Sequence, residues 1–160
     1  MNPQPVMGVA WFARIARELG DRRPDIPFLV VKGRGGVRWL ERVPVDLGGP
    51  RTLHGMHSPF PQEFYAASQV VLVPSLWEET FARVAAAALA NGLPVLASNR
   101  GRCRRRSVGR GWCSTSRPGM GRTLDAPTAE EVAGWVVAIE RLYDEGGYFE
   151  EHYRLARERG

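Results

Sequence analysis

Long apolar runs are absent from this 160-residue chain, and with them any segment of the twenty or so residues a membrane span requires. A charged start followed by an apolar core is also missing at the N-terminus, so no secretory signal is read there and a cytoplasmic protein is expected. Cysteine is scarce. Cys103 and Cys113 stand without metal-ligand companions and outside a secretory context, which argues against both a zinc site and a disulfide framework. No internal repeat is present. Acidic residues are lacking between Arg100 and Arg122, where eight arginines gather. Those eight exceed the formal net charge of +5, so the rest of the chain is acidic on balance. The pI near 9.9 therefore reflects one segment, and a nucleic-acid partner is not expected from the charge of the whole.

At 44% hydrophobic, the chain has enough apolar residues for one ordinary core and too few residues for two substantial domains. Val9, Phe12, Ala13, Ala16 and Leu19 recur at helical spacing, with Gly20 as the expected stop. Pro27 to Val31 reads as a strand, followed by a turn at Gly33, Gly35 and Gly36. Gly33-Arg34-Gly35-Gly36 lacks the full spacing and the later acidic partner of a dinucleotide loop. A short strand is expected over Arg51 to His54 and a short helix over Gln62 to Ala67. Val70 to Val73 is a compact apolar run ending in Pro74-Ser75, the pattern of a buried parallel strand. The next helix carries Phe81, Val84, Ala85, Ala88 and Leu89 on its expected inner face, with Gly92 as C-terminal cap and Pro94 to Ala97 as the following strand. Thr128 and Glu131 have capping-box spacing, and Val132, Trp135, Val136, Ile139 and Tyr143 mark one face of a helix ended by Gly146-Gly147. Tyr148 to Arg159 is read as a last helix with Phe149, Tyr153 and Ala156 inward. Strands alternating with helices predict a three-layer α/β domain of Rossmann type with a parallel sheet.

In such a sheet, ligands bind where the carboxyl ends of strands lead into helix N-termini. Val73-Pro74-Ser75-Leu76-Trp77-Glu78-Glu79-Thr80-Phe81 occupies that position. Backbone N–H groups near Phe81 and Ala82, at the positive end of the helix dipole, are suited to a phosphate. Glu79 beside them can accept hydrogen bonds from sugar hydroxyls, although a carboxylate at a helix N-terminus is favoured by the dipole alone. His54 and His57 are read as loop-packing residues, Lys32 and Arg34 as exposed cations, and Trp11 and Trp39 as core.

The stretch VLVPSLWEETFARVAAAALANGLPVLAS, Val71 to Ser98, resembles the signature region of glycosyltransferase family four. The resemblance extends to Asn2-Pro3-Gln4-Pro5-Val6-Met7-Gly8, similar to the family's phosphate-binding entry loop, and to His54-Gly55-Met56-His57, similar to the loop beside the nucleotide base. It implies the C-terminal, donor-binding half of a GT-B fold, a nucleotide-diphosphate sugar as donor, retention of anomeric configuration, and neither cofactor nor metal. It further implies an acceptor-binding N-terminal domain and a first central strand, both expected to lie outside these 160 residues. By the same resemblance Glu79 positions the donor sugar, while Gly8, Gly55, His57, Thr80, Phe81, Ala82 and Val84 line the donor. Two positions depart from the pattern. The second glutamate of the paired motif, separated from the first by seven residues, is Ala87, and the lysine expected before Gly8 is Met7. Methionine offers no charge to a leaving diphosphate, a loss on the order of 3 kcal/mol of transition-state stabilisation. Low activity, or a non-catalytic remnant, is the expected consequence.

Where the family continues with a Gly-rich turn and another apolar strand, this chain has Cys103-Arg104-Arg105-Arg106-Ser107-Val108. Codons for Leu-Pro-Glu-Thr-Val-Gly, read one base late, encode that sequence, and the same shift yields Gly111 to Pro118. Residues 101–124 are therefore expected to be translated out of phase, which the underlying DNA tests directly.

Overall fold

The computed structural model describes residues 5–31, 38–46, 53–56, 58–78, 80–102 and 124–159. A 3-10 turn at Pro5–Met7 precedes α1 (Val9–Arg22), β1 (Phe28–Val31), α2 (Arg38–Glu41), β2 (Leu53–Met56), α3 (Pro61–Ala66), β3 (Val71–Val73), α4 (Arg83–Ala90), β4 (Val95–Ala97), α5 (Ala129–Asp144) and α6 (Gly146–Arg159). The out-of-phase reading falls almost wholly on residues 103–123, and the Gly-rich turn on 32–37; both lie outside the described residues.

The strands pair in parallel as two ladders. Phe28 to Val31 lie opposite Leu53 to Met56, and Val71 to Val73 lie opposite Val95 to Ala97. Among the described residues β1 and β2 form one sheet, β3 and β4 the other, and no ladder joins β1 to β3.

Strand periodicity then sorts the side chains into layers. Leu72 and Leu96 point with Phe28 and Val30 into a core shared with α1 and α5, around Trp11, Ile15, Leu19, Trp135 and Ile139. The alternate residues Val71, Val73, Val95 and Ala97 pack on the opposite face against Ala85, Ala88 and Leu89 of α4, Ala156 of α6 and Tyr65 of α3. Helices thus cover both faces of the strands, the Rossmann-like α/β arrangement expected from the alternating pattern.

Local chemistry explains the element boundaries. α5 opens with the anticipated capping box: Glu131 N–H donates to Thr128 Oγ1 at 3.2 Å, and Thr128 N–H donates to Glu131 Oε2 at 2.8 Å. α4 closes through Gly92 at φ 74°, with the N–H of Leu93 reaching Ala88 O and that of Gly92 reaching Leu89 O. Elsewhere the boundaries move. α1 runs through Gly20 to Arg22, because buried Leu19 and the Arg22–Glu140 ion pair at 2.9 Å tie that last turn to α5. Gly146 opens α6 instead of closing α5, whose cap is Glu145 in an extended conformation. In α5 the inward position near the C-terminus is Leu142, while Tyr143 is exposed. In α6, Ala156 and His152 are buried; Tyr153 is exposed and stacks on Phe149. The sequence misplaced both tyrosines because an aromatic ring can lie along a surface with its hydroxyl in water.

Candidate functional site

The loop after β3 and the turn before α1 form one structure. Leu76 N–H donates to Val6 O at 2.9 Å, and Gly8 packs directly on Pro74. A Cβ on Gly8 would stand 1.8 Å from the Pro74 carbonyl oxygen, and its φ of 81° is left-handed, so only glycine fits this approach. Gly8 is also the N-cap of α1 and supplies no side-chain cap. The N-terminus of α1 is thereby held over the carboxyl end of β3.

α4 begins beyond the same loop. Its N-cap, Ala82, is buried and left-handed at φ 54°, the one non-glycine residue with positive φ among those described. A side-chain cap is absent there too. Since Ala86 N–H already donates to Ala82 O, the N–H groups ahead of it, on Arg83, Val84 and Ala85, are the ones a helix leaves without intrahelical partners. The donor group anticipated near Phe81 therefore lies further along, from Arg83.

Side chains between the two helix starts are tied down from below. Ser75 and Ser98 are buried, Ser98 Oγ donates to Ser75 O, and Trp77 N–H donates to Ser75 Oγ at 3.3 Å. Met7 Sδ lies 4.0 Å from Ser75 Oγ, a contact that puts the methionine within this cluster. Glu78 accepts from Gly101 N–H at 2.8 Å and pairs with Arg100 at 3.4 Å, linking the loop after β3 to the turn after β4.

Of the residues marked from sequence, Met7, Gly8, Thr80, Phe81, Ala82, Val84 and Ala87 fall on the entry turn, the loop after β3 and α4. Phe81 and Val84 were expected to pack inward, but they are 55% and 45% exposed. The left-handed turn at Ala82 breaks the helical phase between Phe81 and the rest of α4, and the alanines at 85 and 88 with Leu89 suffice to cover β3 and β4. Gly55 was read within a base-side loop; it is instead the third residue of β2, opposite Val30. Val84 and Phe81 thus border open space beside the helix start. Glu79 and His57 lie outside the described residues. Missed from sequence were Ser75 and Ser98, whose Pro74-Ser75 and Ala97-Ser98 ends follow two adjacent strands and so were predictable as neighbours.

A family model described as glycosyl transferases group 1 matches residues 1–145. No curated protein sequence matches the chain. Among solved structures, a GtfA/B complex is similar at a TM-score of 0.68 and 14% identity, over 96% of this chain and 29% of that one. The likeness in structure is one of fold, and the chain spans less than a third of its solved neighbour's length. With the family model covering nearly the whole sequence, the chain belongs to the group 1 glycosyl transferases.

Proposed function

We propose that this chain is the donor-binding half of a retaining GT-B glycosyltransferase, holding a nucleotide-diphosphate sugar while an acceptor alcohol is presented by another domain. The observation that carries the proposal is the meeting of two helix N-termini, those of α1 and α4, at the carboxyl end of β3, each opened by a left-handed residue without a side-chain cap. Uncapped N–H groups at the positive end of a helix favour an anion such as a diphosphate. Gly8 and Ala82 keep the backbone free of bulk there, and Val84 and Phe81 give the ligand an apolar border. Glu79 orients the donor sugar by accepting its hydroxyl protons, and the helix N–H groups stabilise charge on the departing diphosphate. Neither step calls for a cofactor or metal.

A second reading is favoured by Met7 and Ala87, whose side chains contribute neither a cation for the diphosphate nor a carboxylate for the ribose. On that reading the chain binds nucleotide without turnover. Calorimetry with UDP, GDP and ADP, paired with a transfer assay on the longest reading frame containing these residues, separates the two. Binding with transfer supports the enzyme, binding without transfer supports the remnant, and no binding of any nucleotide refutes both.

A further inference from the structure

β3 and β4 run parallel and paired, so the loop after β3 and the turn after β4 leave the sheet side by side. Close to the strands they are joined by short ties. Ser98 N–H donates to Val73 O at 3.0 Å, Ser98 Oγ donates to Ser75 O, and Trp77 N–H donates to Ser75 Oγ at 3.3 Å. Further out the tie is a side chain. Gly101 N–H donates to Glu78 Oε2 at 2.8 Å, and Arg100 Nη1 lies 3.4 Å from Glu78 Oε1.

These two contacts of Glu78 are unequal. A short bond from a main-chain N–H to a carboxylate is charge-assisted and strong for its kind. The ion pair is longer, and the Glu78 side chain is 69% exposed, so water screens it. An exposed tie of this sort adds little to the stability of the whole fold. Its effect is geometric. Ala82, four residues on, is buried at the start of α4, so the chain between Glu78 and Ala82 is held at both ends. The main-chain groups suited to a diphosphate are held by other means: Gly8 packs on Pro74 at α1, and Ala82 and Ala85 are buried at α4.

We propose that Glu78 is a positioning residue for the donor sugar, strapping the loop after β3 to the turn after β4 and so setting the place of the residues that follow it. The inference rests on the donor-site reading above, in which Glu79 accepts from the sugar hydroxyls, and adds a division of labour between two adjacent glutamates. Glu78 engages the protein, and Glu79 the sugar. Hydrogen bonds to hydroxyls are directional, so a loop released from its strap recognises the sugar less well. Diphosphate recognition, which depends on the helix starts, does not pass through Glu78. The strap therefore governs the preference for a nucleotide sugar over the bare nucleotide.

The test titrates the full chain with UDP-glucose, GDP-mannose and ADP-glucose beside UDP, GDP and ADP, as wild type, Glu78→Ala and Glu78→Gln. Glu78→Ala is expected to weaken the bound nucleotide sugar about 10-fold, the scale of one charged hydrogen bond, and the matching diphosphate by less than about 2-fold. Its Tm should stay within about 3 °C of wild type, and its Gly101 amide should exchange faster. Glu78→Gln keeps an oxygen for Gly101 N–H and is expected to restore sugar binding to within about 3-fold of wild type. Equal weakening of sugar and diphosphate by Glu78→Ala, or no weakening of either, would overturn the positioning role. A loss in Glu78→Gln as large as in Glu78→Ala would overturn the strap in favour of direct contact between the Glu78 carboxylate and the sugar. Wild-type binding of diphosphates but of no nucleotide sugar would overturn this inference and leave the diphosphate site standing, whereas binding of neither would refute the donor site itself.

Discussion

At Gly8 and Ala82 the backbone takes the same left-handed turn with opposite consequences. Gly8 has no alternative, since any side chain collides with the Pro74 carbonyl. Gly8→Ala is expected to destabilise the fold by at least about 1–3 kcal/mol through strain and displacement of α1, read as a lower urea midpoint. Ala82 bears a Cβ where glycine is favoured, and Ala82→Gly is expected to raise stability by about 1 kcal/mol. An unchanged or lower midpoint would place the strain elsewhere. Met7 lies beside Ser75 at the junction of the two helix starts. Restoring a cation there, Met7→Lys, is expected to tighten nucleoside diphosphate binding about 10-fold, a charge-assisted contact of about 1.4 kcal/mol, and to weaken it again with added salt. Tightening of nucleosides to the same degree would contradict a phosphate role.

At the scale of elements, what the sequence made legible was whatever chemistry is local. The capping box at Thr128, the glycine cap at Gly92 and the apolar runs of β1, β3 and β4 each lie within a few residues of their cause. Thr128→Ala is expected to cost about 1 kcal/mol by removing that cap, measured by thermal unfolding. What local pattern hid was tertiary. Gly20 stays helical because Leu19 and Arg22 are held by α5, and Phe81 leaves the helical phase because Ala82 is turned by the packing of the loop. The ends of α1 and α5 are also joined electrostatically. Arg23 donates to Asp25 at 2.7 Å and reaches Asp144 at 2.8 Å, and its guanidinium holds the Asp25 carboxyl below its ordinary value of 3.8. Arg141 does the same to Glu145, ordinarily 4.5. A depressed folded-state value means that the stabilisation is complete above the ordinary value and is lost as pH falls through the lower one. The urea midpoint is therefore expected to hold from pH 7 to about 5 and to decline below about 4. Both carboxylates are exposed, so the decline is shallow, and Arg23→Met should flatten it further.

For the whole molecule, the three-layer arrangement was legible from alternating strands and helices, and which strands pair among the described residues was not. Pairing between β1 and β2, and between β3 and β4, depends on register across the fold, which no stretch of sequence records by itself. The framework of the candidate site was legible in outline, because Val71 to Ser98 carries strand, loop and helix in one piece. The helix start expected near Phe81 and Ala82 lies at Arg83, since it is set by the turn at Ala82 and not by the apolar pattern. Ser75 and Ser98 escaped notice because a buried serine is recognised by its neighbours. Among the described residues no helix is long and apolar enough to cross a membrane. The most direct measurement is isothermal titration of the intact, folded chain with UDP, GDP and ADP, beside inorganic phosphate and the free nucleosides. Saturable binding of at least one diphosphate, weakened about 10-fold or more by Val84→Pro, which removes one of the first-turn N–H groups of α4, in a variant that remains folded, is the expected result. A folded chain that binds no diphosphate more tightly than phosphate alone would contradict a donor site at the starts of α1 and α4.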